Sequence, residues 1–179
     1  SIYPVSADST LPFEQHRDIF YLSGIDQEES ILVLFPDSKK NSFKEMLFIR
    51  ETNDHITHWE GEKLTKEKAK DISGINNIYW TNEFKDILNQ IIKQSENVYI
   101  NTNEHYRQNV ETQTREDRFI EELKKIGGIN FKKSNPILQK QRSIKDEIEI
   151  RLIEHACNIT RKGFERVLKF VKPGVWEYE

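Results

Sequence analysis

Ile31-Leu32-Val33-Leu34-Phe35 and Met46-Leu47-Phe48-Ile49 are two uninterrupted apolar runs, separated by the polar stretch Asp37 to Lys44. Neither run alternates with polar residues, and both stop at the length of a strand. Strands covered on both faces of a sheet read this way. Pro36-Asp37 ends the first run, and the polar stretch reads as a hairpin connection between the two.

Outward from this pair, strand and helix signals alternate. Upstream, Ser1 to Pro12 reads as extended or loop, punctuated by Pro4 and Pro12, and Phe20-Tyr21-Leu22 reads as a short aromatic strand stopped at Ser23-Gly24. Downstream, Thr65 to Ser73 has helix-forming composition with Gly74 as its stop. Asn77-Ile78-Tyr79-Trp80 is a further strand. Asn82 is placed to cap a helix whose Phe84, Ile87, Leu88, Ile91 and Ile92 share one face. Val98-Tyr99-Ile100 is the next strand and Asn101 to Gln113 a long polar loop. Arg115 to Ile126 then reads as a helix with Phe119, Ile120, Leu123 and Ile126 inward, ended by Gly127-Gly128 and followed by a strand at Ile129 to Phe131. The expected fold class is α/β, a mixed sheet flanked by helices.

The C-terminal stretch has a different character. Asp146 with Glu149 forms a capping box, and Ile150, Ile153, Cys157, Thr160, Phe164, Val167 and Val171 recur at spacings of three and four until Pro173-Gly174. This is one long amphipathic helix, and its apolar stripe has no partner of similar length in the chain. Two domains are therefore expected: residues 1–141, and residues 142–179 as the opening of a second, truncated domain. The missing initiator Met suggests a cut or processed start.

The bulk properties narrow the function classes. The chain has 179 residues, 36% apolar and 32% charged, with a net charge of −3. Charges of both signs are interspersed, which argues against a nucleic-acid surface, since phosphate binding needs clustered Lys and Arg. The single cysteine, Cys157, excludes an internal disulfide and fits a reducing, cytoplasmic compartment. No stretch approaches the ~20 apolar residues of a membrane span, so no membrane partner is expected.

Local motifs for catalysis are absent. His55 and His58 have H-x-x-H spacing, but their segment shows no helical pattern and reads as a solvated loop. Cys157 lies on the apolar stripe and reads as a packed thiol, with His155 on another face. Glu28-Glu29 and Glu121-Glu122 are neighbours whose side chains diverge. The lysines from Lys63 to Lys70 read as the wet face of a helix. Trp59 stands out, in His58-Trp59-Glu60-Gly61-Glu62-Lys63, between a strand and a helix. A tryptophan in such a connection either walls a pocket for a flat apolar group such as a proline ring, or covers the sheet edge.

An ordered set of segments resembles the aminopeptidase P branch of the creatinase/prolidase ("pita-bread") family. Phe13 to Gly24 is similar to the family's F-R-Q-x-S-x-F-Y-Y-L-T-G, with Glu14 in place of the usual Arg. Ser30 to Pro36 resembles its next strand. Leu47-Phe48-Ile49-Arg50 and Trp59-x-Gly61-x-Lys63 are similar to L-F-x-R and W-x-G-x-R, with Lys63 where the family has Arg. Pro136-Ile137-Leu138, Arg142-x-Ile144-Lys145 and Glu149-Ile150-x-Leu152-Ile153 resemble the run into the catalytic domain. Ala156 to Thr160 and Lys172 to Glu177 resemble the opening of that domain. The family's first helix and strand have no counterpart before Phe13, which would leave a sheet edge open.

The resemblance implies an N-terminal domain of the creatinase/prolidase type, followed by the first long helix of the pita-bread domain. For the complete protein it implies removal of an N-terminal residue that precedes proline, in a homo-oligomer to whose subunit contacts this domain contributes. It further implies two divalent metal ions, typically manganese, that activate a bridging water. All five of the family's metal ligands would lie beyond this chain, so no catalytic or metal residue is carried over and the chain alone is expected to be inactive. Trp59 alone is carried over, as a wall of the proline pocket, often that of a neighbouring subunit. Two other readings stay open: a non-catalytic pita-bread relative acting as a binding or chaperone module, and a sister hydrolase, prolidase or creatinase.

Overall fold

A computed structural model describes residues 4–6, 9–101 and 113–179. In chain order the elements are β1 (Pro4–Ser6), β2 (Ser9–Thr10), α1 (Arg17–Ser23), β3 (Ile31–Leu34), β4 (Glu45–Ile49), α2 (Asp54–Glu60), α3 (Lys66–Ser73) and β5 (Ile78–Trp80). Then come α4 (Phe84–Ile91), β6 (Asn97–Ile100), α5 (Arg115–Lys124), β7 (Asn130–Lys133), α6 (Asn135–Ser143) and α7 (Glu147–Phe170). The polar stretch expected at Asn101 to Gln113 lies almost wholly outside the described residues.

β4 is the centre of the molecule. It pairs antiparallel with β3, Leu32 opposite Leu47, and parallel with β5, Phe48 opposite Tyr79. The sheet is therefore mixed, in the order β3-β4-β5. Successive side chains of a strand leave opposite faces, and β4 buries both. Leu47 and Ile49 pack with Ile25, Ala69 and Ile75 on the side of α1 and α3. Met46 and Phe48 pack with Phe43 and Ile91, backed by Phe84, Ile87 and Leu88 of α4. Phe48 stacks on Tyr79 at 5.4 Å between ring centroids and meets Phe84 edge-on at 5.1 Å, both favoured aromatic geometries.

Phe20-Tyr21-Leu22 is helical, not a strand. The β preference of the aromatic triplet is overridden by caps at both ends of α1. The His16 ring accepts from the Asp18 N–H, and Gly24 closes the helix in the left-handed conformation at φ 66°. α3 ends on the same device. In each case a Ser hydroxyl donates back to the carbonyl one turn earlier, Ser23 to Ile19 and Ser73 to Ala69, both at 2.7 Å. A left-handed Gly follows, then a buried isoleucine, Ile25 or Ile75.

β6 and β7 form a separate parallel pair joined through α5. β1 and β2 pair antiparallel with each other. α6, over Pro136-Ile137-Leu138, carried no helix expectation from the sequence, and its Pro sits where helices tolerate it, in the first turn. α7 has the expected Asp146–Glu149 capping box and runs 24 residues. Its apolar stripe is uncovered: Ile150, Ile153, Phe164, Val167 and Val171 are all exposed. No described helix is long and apolar enough to cross a membrane.

Candidate functional site

Trp59 lies on α2, a seven-residue helix, and not in an irregular connection. The signals that fold this segment are local. The Asn53 side chain accepts from the Ile56 N–H at 2.9 Å as N-cap, and Gly61, at φ 82°, donates its N–H to the Thr57 carbonyl. His55 and His58 therefore share one helix, one turn apart, contrary to the loop reading. The helix was hidden because its composition is polar and β-branched, and its caps, not its periodicity, specify it. Among the described residues no group of three or more His, Cys, Asp or Glu is placed to hold a metal ion, so these residues do not fit a two-metal site.

The segments that enter and leave α2 meet at one carboxylate. Glu28, in the turn between α1 and β3, is buried, with its side chain 8% exposed. Lys63 Nζ, just after α2, donates to Glu28 Oε1 at 2.5 Å. Arg50, which directly follows β4 and lies four residues before α2, brings Nη1 to the same oxygen at 3.5 Å. The neighbouring Gln27 Oε1 accepts from the Leu64 N–H at 2.7 Å. Two successive residues of the turn thus hold two successive residues of the segment leaving α2. His55, Thr57 and His58 are exposed, and α2 makes no extensive contact with another element among the described residues.

Burial is the largest single influence on Glu28 and opposes its ionisation. The hydrogen bond from Lys63, a backbone N–H, and the charges of Lys63 and Arg50 together outweigh it, so its pKa falls below the ordinary 4.5. Lys63 is accordingly an almost buried ion-pair partner, 12% exposed, and not part of a wet lysine face. Glu28 and Glu29 do diverge: Glu29 is exposed, in a left-handed backbone at φ 58°.

A second network ties α1 to α6. Arg142 Nη1 donates to Asp18 Oδ1 at 2.6 Å, and the Asn101 amide meets the His16 ring at 2.7 Å. Asp18, Asn135, Gln139, Arg142, Ser143 and Lys145 line a shallow hollow of about 300 Å³ there. Cys157 is exposed, not packed, because nothing among the described residues covers that face of α7.

A mixed sheet with helices on both faces, followed by a long helix with an uncovered apolar stripe, defines a domain of the α/β class. Over residues 1–99 the sequence matches the family described as "Aminopeptidase P, N-terminal domain", and the chain belongs to that family. It is 29% identical over 175 residues to the Xaa-Pro aminopeptidase of Haemophilus influenzae, covering 96% of this chain and 37% of that protein. A candidate aminopeptidase P from Bacillus anthracis superposes with a TM-score of 0.85 at 26% identity, over 97% of this chain and 41% of that one. Zinc-substituted aminopeptidase P from Escherichia coli, in complex with product, shares the fold, with a TM-score of 0.79 at 23% identity over 99% of this chain and 41% of that one. The chain thus spans about two fifths of the length of these relatives.

Proposed function

We propose that this chain is the N-terminal, non-catalytic part of a metal-dependent Xaa-Pro aminopeptidase, an enzyme that removes an N-terminal residue preceding proline. The observation that carries the reading is the likeness to an Xaa-Pro aminopeptidase along 96% of the chain. The uncovered stripe of α7 supports it, since a helix apolar along one face calls for a covering partner. In this reading residues 1–141 form the accessory domain and residues 142–179 open the catalytic domain. That catalytic domain supplies the ligands for two divalent ions, with manganese the metal we expect, and it covers α7. The accessory domain shapes the substrate cleft, joins subunits of a cytoplasmic homo-oligomer, and presents Trp59 to the proline ring of the peptide, in its own or a neighbouring subunit.

The test is made in the full-length protein. Trp59→Ala should lower kcat/KM for an Xaa-Pro-Yaa peptide about tenfold, the loss of roughly 1.4 kcal/mol that an aromatic wall supplies. An unchanged kcat/KM would make Trp59 a cover for the sheet edge. Metal-dependent turnover by the 179-residue chain alone would remove the accessory assignment.

A further inference from the structure

We propose that Glu28 is the positioning residue of the Trp59 helix: a single buried carboxylate that sets where α2 sits by gripping both of its flanks. The proposal rests on the reading of Trp59 given above and extends it to the residues that place it.

The geometry is specific. α2 is short, and isolated helices of this length do not hold themselves in water. His55, Thr57 and His58 are exposed, so these side chains add little packing to hold it. The chain on either side of it converges on Glu28 Oε1, from Lys63, three residues after α2, at 2.5 Å and from Arg50, directly after β4 and four residues before α2, at 3.5 Å. The Gln27–Leu64 bond at 2.7 Å adds a second, uncharged fastening one residue further on. The turn that offers Gln27 and Glu28 is itself anchored, since the Gln27 carbonyl accepts from Gln15 Nε2 at 2.9 Å and Ser30 Oγ at 2.8 Å. A side chain displaced by an ångström in a cleft is enough to lower turnover, so a grip of this kind acts on catalysis without touching substrate.

Lys63 is a point charge on a flexible stem, whereas a planar guanidinium could take both carboxylate oxygens. Lys63→Arg should therefore preserve the grip, and Lys63→Gln should weaken it while leaving Glu28 with Arg50.

The experiment uses the full-length protein, well below its unfolding temperature, with Glu28→Gln, Lys63→Gln, Lys63→Arg and Trp59→Ala, and with Glu28→Gln and Trp59→Ala combined. Two readouts are taken: kcat/KM on an Xaa-Pro-Yaa peptide, and fluorine NMR of fluorotryptophan-labelled protein, with the Trp59 resonance assigned by its disappearance in Trp59→Phe. Glu28→Gln and Lys63→Gln should each shift or broaden that resonance and lower kcat/KM. Lys63→Arg should do neither. Glu28→Gln should cost nothing further once Trp59 is Ala. Equal losses with and without Trp59, or an unmoved Trp59 resonance, would overturn the proposal. If Trp59→Ala leaves kcat/KM unchanged, the cleft reading fails while the resonance still decides whether Glu28 places α2. Should Glu28→Gln fail to fold, Lys63→Gln gives the same two readouts.

Discussion

The Glu28 carboxylate stays ionised against the pull of its own burial, and that sets a pH dependence. Its folded pKa lies below the ordinary 4.5 because Lys63 and Arg50 favour the charged form. A depressed folded pKa contributes stability above the unfolded pKa and loses it as pH falls through the folded value. Removing one member of a nearly buried pair also strands the others. Glu28→Gln should therefore cost about 2 kcal/mol at pH 7. The difference between the two proteins should shrink as pH drops below 4.5, as chemical denaturation at stepped pH would show. A gap that stays constant down to pH 3 would mean that the pair is not coupled to the fold. Glu29 beside it adds a local cost, because a non-glycine residue at φ 58° is strained by roughly 1 kcal/mol. That strain is located in the turn that presents Glu28.

At the scale of the element, β4 is the strand on which both cores depend. Phe48 is fully buried and contacts rings from β5 and α4. Phe48→Ala should destabilise the domain by about 3–5 kcal/mol, read from the denaturation midpoint. A loss under 1 kcal/mol would mean that α4 closes over the cavity. The strands β3, β4, β5 and β6, and the helices α3, α4, α5 and α7, were legible because their apolar spacing and glycine stops agree. α1 was misread because its aromatic triplet suggests a strand while the deciding information is a histidine cap and one glycine. α2 and α6 were missed for a related reason, since short helices held by caps and tertiary bonds leave little periodicity. Trp59 could be singled out from its neighbours in sequence. Glu28 could not, because its partner Lys63 is 35 residues away and nothing local announces the pairing.

For the molecule as a whole, the outstanding feature is the uncovered face of α7. Phe164 is 65% exposed and Val167 53% exposed, on a helix that ends a mixed-charge chain of net −3. An apolar stripe of this length should bind a hydrophobic dye and promote self-association when the 179 residues are produced alone. Phe164→Asp together with Val167→Asp should reduce both, measured by dye fluorescence and light scattering. In the full-length protein the same pair should instead destabilise the fold, because there the stripe is covered in the reading proposed above. Dye binding by the isolated chain that is unchanged by the two substitutions would place the exposed apolar surface elsewhere.

The parallel pairing of β4 with β5 bears on the order in which the chain assembles. β3 and β4 are joined by a short connection and can zip together early, whereas β5 pairs with β4 only after the whole of α2 and α3 has been looped out. α2 thus belongs to the segment that must be looped out before the mixed sheet is complete. The segment carrying Trp59 is consequently spanned by the longer of the two loop closures that complete the mixed sheet.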